Sequence, residues 1–169
     1  MHVPTCAHLV WSAIQAARLS GFSPIITTSS LKHTEYLKTL GATHVLDRSL
    51  SSSVLLAEIA EIAAGTPIKY AFDTIGGEDT QRLAHDALVS GGSFVTVAPV
   101  PNLLKIQITE GRRVVHASGS FRLPTTRELG LEVYRRMTTW LQDGTIVVCL
   151  LFLYSLPHEK LMREQSRTG

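Results

Sequence analysis

Apolar and polar positions along this chain alternate between two periods. From Leu9 to Leu19 the apolar residues Val10, Ala13, Ile14 and Ala17 fall at helical spacing on one face, and Gly21 suits the helix end. Pro24-Ile25-Ile26-Thr27 is a short β-rich run, with its proline at the first position, where a missing N–H is tolerated. Ser30 can cap a helix from about Leu31 to Leu40, closed by Gly41. His44-Val45-Leu46 reads as a second strand ending at Asp47, and Ser51 to Ser53 offer caps for a helix from about Val54 to Ala64, stopped by Gly65. Ile68 to Ile75 reads as a strand broken by Gly76-Gly77, Thr80 to Val89 as a helix ended by Gly91-Gly92, and Ser93 to Val97 as a strand bounded by Pro99 and Pro101. Leu104 to Ile108 alternates like a small edge strand, and Val114 to Ala117 reads as a further strand. Thr125 and Glu128 fit a capping box, as N-cap and N3, for a helix reaching about Gln142 and stopped by Asp143-Gly144.

Short, nearly continuous apolar strands separated by helices predict an α/β fold. The expected architecture is a doubly wound parallel sheet in three αβα layers, incomplete at its first strand because His2-Val3-Pro4 is too short and proline-broken to form one. The 169 residues suit one domain with a sizeable core. With 44% hydrophobic and 18% charged residues, global disorder is excluded. The net charge of +2 is mild and its basic residues are scattered, so no nucleic-acid partner is expected. Cys6 and Cys149 stand far apart without metal or redox spacing, which makes the cytoplasm the default compartment. The opening Met1 to Ala7 has no basic region of a signal peptide. The longest apolar run, Ile146 to Leu153, is far below the ~20 residues of a membrane span and reads as a buried strand. The 7 His are dispersed without an HxxxH pair, so no metal is expected, and no Gly-x-Ser-x-Gly supports a hydrolase.

The stretches "AIQAARLSGFSPIITTSSLKHTEYLKTLGATHVLDR", "IKYAFDTIGGEDT" and "ALVSGGSFVTVAPV" carry a specific likeness. In this order they resemble the cofactor-binding half of the medium-chain dehydrogenase/reductase superfamily, in its zinc-free enoyl-reductase and quinone-reductase-like branch. The resemblance runs from about Leu9 to Gly144. It implies an irregular segment over 1–8, a Rossmann-like NADP-binding domain over 9–148 and a divergent tail over 149–169. Members of the superfamily are about twice this length and carry a GroES-like catalytic domain first. The resemblance therefore implies a nicotinamide-cofactor domain without a complete active site.

A Rossmann unit uses a glycine-rich turn to seat the pyrophosphate at a helix N-terminus. Before the first helix stands "MHVPTCAHLV", with Val10 or Trp11 where the family's last glycine falls, so the phosphate cradle is expected to be missing, or replaced weakly by amides near His8 to Val10. NAD-preferring sites place Asp or Glu after the second strand; here stand Thr28, Ser29, Ser30, Lys32 and Tyr36. Hydroxyls with a cation suit a 2′-phosphate, and the resemblance implies NADP(H) held by Ser29, Ser30, Lys32 and Tyr36. The plainer reading makes Ser30 an N-cap and Lys32 a solvated residue. The resemblance also implies that Asp73, Thr74 and Ile75 line the adenosine and ribose side of the cofactor, unless Asp73 merely caps the helix after Gly77. Val97, Ala98 and Pro99 would lie by the nicotinamide ribose, unless they are only a rigid loop end, and Ser118 to Phe121, after a later strand, would add to that pocket's lining.

The leading expectation is an NADP(H)-binding domain of an oxidoreductase. In the complete relative, hydride passes to an enoyl, quinone or carbonyl substrate, with little turnover by this chain alone. The competing expectation is a truncated, non-catalytic interaction domain whose bared apolar surface a partner, or a second copy in a homo-dimer, would cover.

Overall fold

A computed structural model describes residues 6–97, 111–117 and 123–148. The expected edge strand at Leu104 to Ile108, together with Ala98, Pro99, Ser118 to Phe121 and the tail from Cys149, lies outside the described residues. The chain forms two compact units, 1–120 and 121–169. The first unit contains α1 (Cys6–Leu19), β1 (Ile26–Ser29), a 3-10 turn (Leu31–His33), α2 (Thr34–Leu40), β2 (His44–Asp47), α3 (Ser52–Ala63), β3 (Tyr70–Asp73), α4 (Glu78–Asp86), β4 (Ser93–Thr96) and β5 (Arg113–His116). The second unit contains α5 (Pro124–Gln142).

Among the described residues every strand pairing is parallel, as the alternation of strands and helices requires. The strands form two sheets, β1–β2 and β3–β4–β5. Ile26 lies opposite His44 and Ser29 opposite Asp47; Tyr70, Ser93 and Arg113 align across the second sheet, as do Asp73, Thr96 and His116. Each sheet has its own core. Ile14, Leu37, Leu40 and Ala42 are buried on the first, flanked by Val10, Trp11, Ile25 and Val45. Leu88 and Phe94 are buried on the second, flanked by Ile68, Ala71, Ala84 and Val114. The α1 face anticipated from Val10, Ile14 and their neighbours is the face that packs.

The boundaries depart from expectation where side chains intercept the backbone. The first strand starts at Ile26 rather than Pro24, because the N–H of Ile25 donates to the Thr43 hydroxyl at 2.9 Å. Ser30 makes no side-chain cap bond, and the segment after it opens as a 3-10 turn before α2. Ser51 does cap α3, accepting from the Val54 N–H at 3.4 Å. The Thr125 capping box does not form. Pro124 takes the first helical position, where its absent N–H and fixed φ are favoured, and Leu123 becomes the N-cap. Thr126 donates its hydroxyl back to the Leu123 carbonyl at 3.3 Å. Along α5, buried Gly130 and half-buried Val133, Met137 and Trp140 follow one helical stripe, while Leu129 and Tyr134 are exposed.

Gly41 ends α2 with φ +121, outside the range that side-chain-bearing residues readily adopt. A Cβ there would stand 2.6 Å from Arg18 Cδ and 2.8 Å from Arg18 Cβ on α1. Gly41→Ala is expected to lower stability by about 1–3 kcal/mol. Urea denaturation checks this, and an unchanged midpoint would remove Gly41 as the reason α1 and α2 approach so closely.

Candidate functional site

Ligands of open α/β sheets gather outside the carboxyl ends of the strands. At the end of β1, Ser29 and Ser30 are half-buried and Lys32 is exposed. Ser30 stays extended, and its hydroxyl is not used to cap the 3-10 turn. The Ser29 carbonyl accepts the Arg48 N–H at 3.0 Å. This bond brings a second cation, at the end of β2, to the end of β1. Arg48 is absent from the sequence-based set; the available signal was a basic residue directly following a strand that registers with Ser29. Tyr36 lies on α2 with its ring edge-on to Trp11 at 5.2 Å, so its aromatic body serves the α1–α2 packing.

Asp47, opposite Ser29, turns its carboxylate into its own turn, accepting the Ser49 N–H at 2.9 Å. That backbone bond, a further one from the Ser49 side chain and the Arg48 charge hold the acid below the ordinary aspartate range. A depressed carboxylate contributes stability above its unfolded pKa and loses it as pH falls through the folded one. An NMR titration is therefore expected to place the Asp47 midpoint below that of aspartate in a peptide. Equality with the peptide would mean that the Ser49 bond is not formed in solution.

At the end of β3, Asp73 is buried. Its Oδ1 accepts the Ile75 N–H at 3.1 Å and its Oδ2 the Gly76 N–H at 2.9 Å. The carboxylate thus closes the turn ahead of α4 and does not cap that helix, whose N-cap is Gly77 without a side-chain bond. This turn also ends β3 at Asp73 rather than at Ile75. Thr74 is buried beside it and Ile75 is 58% exposed. The Val97 N–H donates to the Asp73 carbonyl at 3.4 Å, which joins Val97 to the same strand ends. Asp73, Thr74, Ile75 and Val97 therefore form one group on the second sheet. Ser29, Ser30, Lys32 and Arg48 form another on the first. Ala98 and Pro99 lie outside the described residues.

The pyrophosphate position differs most from a Rossmann pattern. The helix α1 already begins at Cys6, and the first glycine of the chain is Gly21. Val10 and Trp11 pack against the first core, so side chains fill the place of the expected glycine. The amides without intrahelical partners belong to the first four residues of α1, which excludes the Val10 N–H from any anion cradle.

Buried His85 sits with Nδ1 3.2 Å from Asp86 Oδ1 and 3.5 Å from Arg112 Nη1. Arg112 Nε and Nη2 both donate to the Leu88 carbonyl, at 3.0 and 2.7 Å. This cluster braces the end of α4 against the approach to β5.

Parallel strands joined through crossover helices define a Rossmann-like α/β fold. Residues 11–138 match the family model of zinc-binding dehydrogenases, and the chain belongs to that family. A trans-enoyl reductase of Gibberella fujikuroi is 25% identical over 153 residues, covering 79% of this chain and 42% of that protein. The quinone oxidoreductase of Escherichia coli, solved with NADPH, matches with TM-score 0.64 and 24% identity over 82% of this chain and 43% of its own. That of Pseudomonas syringae pv. tomato matches with TM-score 0.65 and 22% identity over 85% of this chain and 45% of its own. The chain thus spans less than half the length of these relatives. Although the family is described by zinc, no group of three or more His, Cys, Asp or Glu converges among the described residues, so these residues do not fit a zinc site. No helix among the described residues is long and apolar enough to cross a membrane.

Proposed function

We propose that this chain is the NADP(H)-binding half of an enoyl- or quinone-reductase-type oxidoreductase, over residues 9–148 with a divergent tail at 149–169. The carrying observation is the end of β1, where two serines and a lysine are joined by Arg48 through the Ser29 carbonyl, with no carboxylate directly after the strand. Ser29 and Ser30 offer hydroxyl donors to a 2′-phosphate, and Lys32 and Arg48 offer its countercharge. Tyr36 supports the helix that carries this corner. On the other sheet, Asp73 holds the turn that presents Thr74 and Ile75, while Val97, Ala98 and Pro99 flank the nicotinamide side. When bound, NADPH supplies a hydride from C4 of its nicotinamide to a polarised enoyl, quinone or carbonyl substrate.

On this reading the two strand-end groups serve the two ends of the cofactor, with no glycine-rich turn between them among the described residues. The expected consequence is measurable NADPH binding with little turnover by this chain alone. Calorimetric titration with NADPH and NADH, together with a steady-state assay on enones and quinones, tests both parts. Absence of NADPH binding would overturn the reading, and robust turnover would overturn its inactive half. The reading places the protein in the cytoplasm, without nucleic-acid or membrane partners. It also allows a homo-dimer through exposed apolar side chains, which light scattering checks. The alternative, a non-catalytic interaction domain, is favoured by one observation: the division of the sheet into two.

A further inference from the structure

Arg48 carries an exposed side chain in the turn that follows β2. An arginine side chain has many rotamers, so the reach of its guanidinium is set by where its backbone stands. The bonds that fix this backbone are specific. The Arg48 N–H donates to the Ser29 carbonyl at 3.0 Å, one residue past the point where Ser29 and Asp47 lie opposite each other. The next N–H, of Ser49, donates to the Asp47 carboxylate at 2.9 Å. The one after it, of Leu50, donates to the Asp47 carbonyl at 3.1 Å. The Ser49 side chain gives the same carboxylate a further bond. Asp47 thus ties down both residues that follow Arg48, while Arg48 itself is tied to β1. Without the carboxylate, the Ser49 N–H would turn to water, and the Leu50 bond alone would close the turn.

The charge of Asp47 makes this arrangement informative. A carboxylate beside a corner that takes a phosphate weakens binding by like-charge repulsion. Removing the acid would then tighten the phosphate. If the acid holds the cation in place, removing it would loosen the phosphate instead. The two roles predict effects of opposite sign. The observed bonds favour the second, because Asp47 directs its carboxylate into the turn. Those bonds and the Arg48 charge also hold the acid below the ordinary aspartate range, so the accepting form is the one present near neutral pH.

We infer that Asp47 is a positioning residue for coenzyme preference: its carboxylate holds the turn that sets the Arg48 guanidinium at the end of β1, where the 2′-phosphate of NADPH is met. The inference rests on the reading of that corner as the 2′-phosphate site. Asp47 acts through Arg48 and makes no contact with the coenzyme. Its length matters more than its charge. Aspartate and asparagine both place an acceptor oxygen within reach of the amide two residues on, and alanine places none.

Two measurements on the full chain test this, one without coenzyme and one with it. Amide exchange without nucleotide, followed by NMR, reads the bond between Arg48 and Ser29. The Arg48 amide is expected to exchange at least about tenfold faster in Asp47→Ala and at the wild-type rate in Asp47→Asn. In titrations with both dinucleotides, Asp47→Ala is expected to cost NADPH about threefold to tenfold and to change NADH less than about twofold. Asp47→Asn should keep the NADPH preference or increase it, since it keeps the turn and removes a repulsive charge. Combined with Arg48→Ala, Asp47→Ala should cost NADPH nothing further, because the side chain it positions is gone. An Arg48 amide equally protected in Asp47→Ala would overturn the inference and leave the reading of the corner intact. Tighter NADPH binding by Asp47→Ala would overturn it by showing that the acid acts through charge. Equal losses of NADPH and NADH would overturn it by showing that Asp47 meets the part the two dinucleotides share. A wild-type chain without NADPH preference would overturn the reading of the corner itself, and this inference with it.

Discussion

NADPH should bind this chain more tightly than NADH, and the preference should collapse when Lys32 and Arg48 are both replaced by alanine. The two dinucleotides differ by one phosphate, which carries about −1.5 to −2 charges near neutral pH and three strong acceptor oxygens. Lys32 and Arg48 are the cations at the corner where β1 ends, and Arg48 is fixed there by its backbone bond to Ser29. A hydrogen bond to a charged group contributes about 1.5–3 kcal/mol. Both side chains are exposed, and that discounts the figure. Each single variant should therefore cost NADPH about threefold to tenfold and the double variant about tenfold to a hundredfold, with NADH changed less than about twofold. Rising salt should erode the NADPH advantage, because exposed charges are screened within about 10 Å at 0.1 M. Titrations followed by the fluorescence of Trp11 and Trp140 can read all four proteins. Equal losses for both dinucleotides would mean that these cations do not meet the 2′-phosphate.

How much of this was legible in the sequence depends on whether an element is specified locally. The periodicity of Val10, Ile14 and Ala17, the serine ahead of α3 and the Asp143-Gly144 stop of α5 are local signals, and the elements stand where they point. Thr125 misled because two local signals competed. A proline at the first helical position outweighed a hydroxyl cap one residue later. The first strand shifted because Thr43, eighteen residues away, takes the Ile25 N–H, a contact that no pattern around Ile25 could announce. Arg48 escaped for the same reason, since its proximity to Ser29 exists only through the β1–β2 register. Asp73 could be placed at a strand end from the sequence, but the partners of its carboxylate could not. A strand-end aspartate can serve a ligand, a helix or its own turn, and only the bonds to Ile75 and Gly76 distinguish these. The division of the sheet lay wholly beyond local reading, because a sequence orders strands without pairing them.

That division leads to the second large effect. Phe94→Ala should melt the β3–β4–β5 sheet while leaving the β1–β2 sheet folded. Phe94 has no exposed surface and is the largest side chain of a core whose other buried apolar member, among the described residues, is Leu88. Truncating a buried phenylalanine costs about 3–5 kcal/mol. A whole domain of this size holds only about 5–15 kcal/mol, and a core this small holds a fraction of that. The first core, around Ile14, Leu37, Leu40 and Ala42, is a separate cluster and shares no described strand with the second. The loss should therefore remain on one side, as in other proteins that open by contiguous units. Amide exchange would show Ala71 and Asp73 losing protection while Thr27 and Ser29 keep theirs. The variant should still distinguish NADPH from NADH, because Ser29, Lys32 and Arg48 belong to the surviving sheet. Phe94→Leu, which keeps most of the volume, should retain both sheets. Simultaneous loss of protection at all four amides in Phe94→Ala would show that the two sheets fold as one cooperative body despite having no described strand in common.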